Sequence, residues 1–319
     1  MRSVPPPPPP RLPRRIRPRS TRCLRTGALR IRAAAIFACG WLAAAPSAPA
    51  AAFAAGADDV AAALAEGDAH YERRAEGARG GTADPREADL AIQAYRRALA
   101  ASPDDLEALS RLLRALNFRG AFCGADLATR KKLFDEGRLL GLAAVARMEK
   151  SVAGRSAADR IAGLRGTRGA AGAYYWTAAC LGQWALTRGT FAAARSGVAG
   201  RLRDLAETVI ALDPALEEGG GYRVLGRLHS QAPHIPLITG WVSKTKAVEY
   251  LRKSYALGPT NPVTWFFLGE ALLDGDASQA EEGRRFLRRC VDTPPRSDYV
   301  VESVSYAEQA RALLAADGR

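Results

Sequence analysis

The chain is predicted to be an all-α helical-repeat solenoid, and three observations point there. Segments rich in Ala, Leu and Arg at helical spacing dominate its 319 residues, whereas alternating runs of Val, Ile and Thr are missing. Ala, Leu and Arg lose little side-chain freedom in a helix, so this bias favours helices over sheet. A pattern of large and small residues then recurs and keeps its phase from Tyr222 to Pro295. Finally, the last stretch, VESVSYAEQARALLAADGR, reads as a terminal helix that would cover the exposed end of a stack of repeats.

Taken in chain order, residues 1–54 are predicted to be a disordered basic, Pro-rich leader and signal peptide, and residues 55–319 the helical domain. Pro5 to Pro10 form a polyproline run, and a Pro- and Arg-rich segment of this kind cannot bury apolar area. The apolar run AAAIFACGWLAAA follows Arg32, and small residues then alternate in APSAPAAAFAAGADD. A basic region, a short apolar region and small alternating residues describe a secretory signal, with cleavage expected after Ala50 or Ala54. The mature N-terminus is therefore expected between Ala51 and Asp58, and the protein is expected to be periplasmic or secreted. A lipoprotein signal using Cys39 is the rival reading, weakened because the apolar run continues past that cysteine. The run is too short and alanine-rich for a membrane span. The leader also explains the formal charge of +13, because ten of the 46 basic residues lie between Arg2 and Arg32. The remainder holds 36 basic against 33 acidic residues, and no basic face interleaved with aromatics recurs, so nucleic acid is excluded as a partner.

Within the helical domain a two-helix unit repeats. Its first helix carries a large residue, then Leu, Gly and a second large residue; its second carries Ala, a large residue, Ala and a terminating Pro. Small residues let the helices approach, large ones fill the gap, and Pro stops the second helix. Ala91, Tyr95, Ala98 and Pro103 follow the second-helix spacing, and Leu109, Leu112, Leu113 and Leu116 the next first helix. Ala178, Leu181, Gly182 and Ala185 are followed by Leu202, Ala206, Val209 and Pro214. Tyr222, Leu225, Gly226 and His229 are followed by Ala247, Leu251, Ser254 and Pro259. In phase with that proline come Trp265, Leu268, Gly269 and Leu272, then Gly283, Leu287, Cys290 and Pro295. Agreement across a repeat boundary separates this from a generic amphipathic bundle and marks a tetratricopeptide-like solenoid of about four helix pairs. Insertions are expected at residues 75–88 and 231–245, and residues 122–168 fit the unit poorly.

The segments GGGYRVLGRLHSQAP, KAVEYLRKSYALGPTNP and FFLGEALL, with AYYWTAACLGQWAL upstream, resemble the T component associated with tripartite (TRAP) transporters. The resemblance covers roughly residues 90–290. It implies an exported helical protein with a ligand-accessible pore or cleft, working beside a periplasmic solute-binding subunit. That family is typically lipid-anchored, and the poor lipobox here argues against membrane anchoring.

Residues able to carry chemistry are few. No phosphate loop, nucleophile elbow, dinucleotide fingerprint, C-x-x-C or H-E-x-x-H occurs, so no enzyme, metal or cofactor is predicted. Cys123, Cys180 and Cys290 survive signal removal; Cys290 occupies a small-residue position, while Cys123 and Cys180 could form a disulfide or remain buried thiols. Tyr174, Tyr175 and Trp176 are consecutive on one helix and spread over about 200° of it, so at least one should face the concave surface or another solvent-accessible side. Trp184 extends the stripe from Trp176, and Tyr222 opens a later first helix. His234 and Trp241 lie in the apolar insertion, which is expected to fold over the solenoid and wall a pocket. Gly219, Gly220 and Gly221 read as a flexible lead-in to a first helix. The function expected is recognition of a protein partner or a small hydrophobic ligand by these residues. An envelope-assembly scaffold binding peptides is the alternative.

Overall fold

The structure is a computed structural model that describes residues 50–189 and 196–318; the expected leader, residues 1–49, lies outside the described residues. The described chain is an all-α helical-repeat solenoid, with twelve α-helices and no strand among the described residues. In chain order these are α1 (Ala50–Glu72), α2 (Pro85–Ala101), α3 (Leu106–Phe122), α4 (Leu127–Ser151), α5 (Ala157–Arg165) and α6 (Ala170–Arg188). They continue as α7 (Val198–Leu212), α8 (Leu216–Gln231), α9 (Lys244–Leu257), α10 (Pro262–Leu273), α11 (Ala280–Asp292) and α12 (Val300–Asp317). The boundary considered after Ala54 falls within the first turns of α1. No described helix is long and apolar enough to cross a membrane.

Local chemistry sets the ends of these helices. α2, α7, α9 and α11 each stop two residues before a proline: Pro103, Pro214, Pro259 and Pro294. Proline cannot donate to the preceding turn and pushes its predecessor out of helical geometry. The side chains of Asp84, Asp105, Asp126, Ser243 and Asn261 accept backbone N–H groups at the starts of α2, α3, α4, α9 and α10.

The small–large pattern sets the spacing within each pair. A methyl group on Gly226 of α8 would lie 2.9 Å from Cδ2 of Leu251 on α9. One on Gly269 of α10 would lie 2.8 Å from Cγ of Leu287 on α11. Gly67 on α1 faces the Tyr95 ring on α2 in the same way, which makes α1 the first helix of a fifth pair. Gly182 holds the equivalent position on α6, yet its nearest neighbour would be Leu202 Cδ2 at 3.9 Å. The same substitution should therefore have opposite signs at two equivalent sites. Gly182→Ala is expected to stabilise by up to about 1 kcal/mol through helix propensity. Gly226→Ala is expected to destabilise by about 1–3 kcal/mol through overpacking. Urea denaturation of both variants checks this, and shifts of equal sign would refute it.

α4 is where the repeat template breaks down. It packs on both α3 and α6. Gly137 and Gly141 meet Cys180 and Thr177 of α6, so the small residues on α4 serve a later neighbour as well as its own pair.

The first helices form the inner layer. α3 packs on α6, α6 on α8, α8 on α10, α10 on α12, and α12 returns to α3. The solenoid is thus closed into a ring. The insertion between α1 and α2 completes the closure: Gly81 N–H donates to Glu308 Oε1 of α12 at 3.1 Å, and Ala83 N–H to Phe122 O at 2.7 Å. Arg74 adds bonds to the Asp298 carbonyl and, at 3.3 Å, to Glu302 Oε1. Phe122 meets Tyr306 edge-on at 6.2 Å.

Candidate functional site

The ring encloses a cavity of about 470 Å³, within the range of small-ligand sites. Its middle is apolar, with Phe118, Ala178, Gly182, Val224, Leu228 and Phe267 facing it from four first helices. Gln183, Gln231 and Gln309 line the end where α6, α8 and α12 finish, and the exposed Leu186 and Gln309 bring this end to solvent. The opposite end is charged. Arg114, Trp176 and Glu217 there line both the main cavity and a smaller adjoining one of about 170 Å³.

A strained turn builds the charged end. Glu217, Glu218 and Gly219 are all left-handed, with φ of 51°, 55° and 79°. Glycine tolerates this conformation, but each glutamate costs about 1–2 kcal/mol there. The buried Arg223 holds the turn, donating to the carbonyls of Glu217 at 2.9 Å and Glu218 at 3.3 Å. The same guanidinium reaches Thr264 Oγ1 at 3.2 Å, Tyr175 OH at 3.3 Å and Ser254 Oγ at 3.5 Å. Outside the turn, Asn261 Nδ2 donates to Glu218 Oε2 at 2.6 Å and Arg296 Nη1 to Glu218 Oε1 at 2.9 Å. The result aims the Glu217 carboxylate inward, where Tyr299 OH donates to it at 3.2 Å. The three glycines are therefore not a flexible lead-in. Gly219 lies against the Ser254 backbone, Gly220 against the Tyr175 ring, and Gly221 against Ile210 and the Ala206 carbonyl, all too close for a side chain.

Tyr71 sits between two cations on the opposite wall, with Arg114 4.1 Å and Arg74 4.6 Å from its ring centroid. Burial pushes the Tyr71 hydroxyl up to about 12. Burial also raises the Glu302 carboxyl, with Arg74 opposing that shift.

The structure places the sequence-predicted residues unequally. Tyr175 and Trp176 line the cavity, their rings meeting edge-on at 4.9 Å. Tyr174 is buried in the main core instead. Trp184 lies outside the lining, between Arg138 at 4.3 Å and Arg188 at 5.0 Å. Tyr222 is half-buried outside the lining, and His234 is exposed. Trp241 also stands outside it, packed on His229 at 5.4 Å beneath Arg203 at 4.7 Å. The insertion contributes only its first residues, through Pro233, while Leu237 and Ile238 project into solvent. The disulfide considered between Cys123 and Cys180 is absent: both are free and buried, as is Cys290. Cys180 Sγ donates to the Leu113 carbonyl at 3.5 Å, whereas Cys123 packs in the separate cluster of α2 and α3. Burial raises all three thiols to about 12.

His229 supports the insertion rather than a ligand. Its Nδ1 accepts the Ser243 N–H at 3.1 Å, and burial lowers its pKa from 6.5 to about 4. The folded state thus holds a neutral imidazole that the unfolded chain protonates below pH 6.5. Its contribution to stability is full above that pH and is lost as pH falls toward 4. Melting temperature should fall across this window, and His229→Phe should flatten the fall while preserving the stack on Tyr250. Parallel curves for the two proteins would contradict this.

Arg114, Tyr71, Glu217, Arg223 and Glu302 are the residues that sequence reasoning missed. No family model matches the chain, and no curated protein matches it. Among solved structures, the crystal structure of the MamA protein aligns with 80% of this chain and 96% of its own, at 15% identity and a TM-score of 0.37.

Proposed function

We propose that the chain is an exported helical-repeat binding protein that takes a small, partly apolar ligand inside its ring and serves as an accessory partner of a periplasmic solute-binding or transport system. The observation that carries this reading is the cavity of about 470 Å³ walled by first helices, apolar in its middle and charged at one end. Such a lining binds by shape and apolar contact with a few polar groups fixing orientation, and makes no bonds. The signal-like leader supports export. The resemblance of residues 90–290 to the T component of TRAP systems supports the transport partner. A scaffold for protein partners is the second reading, favoured by the exposed Leu237 and Ile238 on the insertion.

The test is native mass spectrometry of protein recovered from its own host after fractionation. A periplasmic protein beginning between Ala51 and Asp58, carrying a small bound mass that Ala179→Trp eliminates, is expected. Intact Met1 in cytoplasmic protein would refute export, and the bare polypeptide mass would refute ligand binding.

A further inference from the structure

The charged end of the cavity holds polar atoms that the fold leaves without partners. Arg114 Nε, Asn117 Nδ2, Arg130 Nε and Glu302 Oε2 are buried and have no hydrogen-bond partner, and all four residues line the cavity. Glu302 is only 7% exposed. Tyr71, whose ring carries Arg114, lines the cavity beside them and makes no side-chain hydrogen bond among the described residues. Buried donors and acceptors are normally satisfied, and each exception costs about 1–3 kcal/mol, so such a set calls for an external partner.

The charges define what that partner must be. Arg223 is consumed by the left-handed turn, and Arg227 is paired with Glu270. Arg74 bonds Glu302 Oε1 and the Asp298 carbonyl and, though its Nε lacks a partner, does not line the cavity. Arg130 lines the cavity from α4, over the Phe134 ring, with its Nε also unpartnered. Arg114 lines it from the α3 wall, facing the carboxylates, held by stacking on Tyr71 and a distant contact of 4.0 Å to Asp68. Facing it are two carboxylates, Glu217 of α8 and Glu302 of α12. A simple anion would suit Arg114 but face both glutamates, and a simple cation would suit the glutamates but face Arg114. A molecule carrying both charges on groups attached to one carbon satisfies both walls. From Trp176 at the charged end the lining turns apolar toward Phe118 and Phe267.

We propose that the cavity binds an α-amino acid with a large apolar side chain, its carboxylate on Arg114 and the Tyr71 hydroxyl and its ammonium on Glu302 and Glu217. The side chain then lies along Phe118, Trp176 and Phe267. This assignment rests on the ligand-binding reading above and names the class of ligand.

Titration calorimetry on the ligand-stripped full domain with three isosteric probes tests it. L-phenylalanine carries both charges, 3-phenylpropionate lacks the ammonium, and 2-phenylethylamine lacks the carboxylate. L-phenylalanine should bind at least roughly tenfold more tightly than either, the loss expected when one charge-assisted contact is removed. Glu217→Gln should reduce the preference over 3-phenylpropionate several-fold, and Arg114→Gln the preference over 2-phenylethylamine. Glu217→Gln retains an oxygen for the Tyr299 hydroxyl, so its melting temperature should stay near wild type and keep the test readable if Arg114→Gln fails to fold. Equal binding of all three probes, or tighter binding of 3-phenylpropionate, would overturn the assignment. So would failure of L-phenylalanine to displace a ligand that mass spectrometry shows in the native protein, leaving the ring's binding role intact. Absence of any native ligand together with no binding of any probe would remove both readings.

Discussion

Arg223→Met is expected to cost about 3–5 kcal/mol of stability, because methionine fills much of the same volume and donates nothing. The loss leaves the Glu217 carbonyl without its guanidinium donor and the Glu218 carbonyl with only Ser254 Oγ at 3.4 Å, and an orphaned acceptor costs about 1–3 kcal/mol. It also releases Tyr175, Ser254 and Thr264 from a common donor. The strained turn amplifies the effect, since two glutamates in left-handed geometry persist only where the surroundings over-determine them. Arg223→Lys should rescue little, because one ammonium cannot span acceptors on α6, α8, α9 and α10 at once. Adding Glu217→Gly to Arg223→Met should recover about 1 kcal/mol by removing one left-handed penalty. Chemical denaturation of the three variants measures these differences. A loss below about 1 kcal/mol for Arg223→Met would show that the glutamate carboxylates, through Asn261, Arg296 and Tyr299, hold the turn without it.

The repeat was legible because its rule is local. Gly226 opposite Leu251 and Gly269 opposite Leu287 are packing demands that spacing alone reveals, and prolines mark the stops of α2, α7, α9 and α11. The pair formed by α1 and α2 was harder to read, because Gly67 and Tyr95 are separated by the long insertion. The same local rule misdirected the site. Aromatic residues looked like binding surface, but Tyr174 fills core, Trp184 lies between arginines and Trp241 packs on His229. In three of the first helices a polar lining residue lies one beyond the repeat's small position: Arg114 after Leu113, Gln183 after Gly182 and Arg227 after Gly226. That register signal was available. The contributions of Tyr71 and Glu302 were not, since they reach the cavity only because the last helix returns to the first ones.

Gly81→Leu tests that return. Even a methyl group at this buried glycine would lie 2.7 Å from the Ser305 nitrogen and 2.8 Å from Glu308 Oε2, and backbone cannot swing aside as a side chain can. Leucine should therefore drive residues 73–84 off α12, costing about 1–3 kcal/mol and breaking the bond from Gly81 to Glu308. The informative readout is where the loss is felt. In an open solenoid each repeat touches only its neighbours, so damage at α12 would stay near α10 and α11. In a closed ring it must also reach α1 and α3, through Arg74, Ala83 and Phe122. Hydrogen exchange in Gly81→Leu is accordingly expected to accelerate together in α12 and α3, with α8 and α9 unchanged, and ligand affinity should fall with it. Glu308→Ala removes only this part-buried hydrogen bond and should cost about 0.5–1.5 kcal/mol, leaving the ring shut. If α12 alone loses protection in Gly81→Leu while α3 keeps its own, the ring carries no coupling across its seam, and the cavity belongs to the stacked repeats without help from closure.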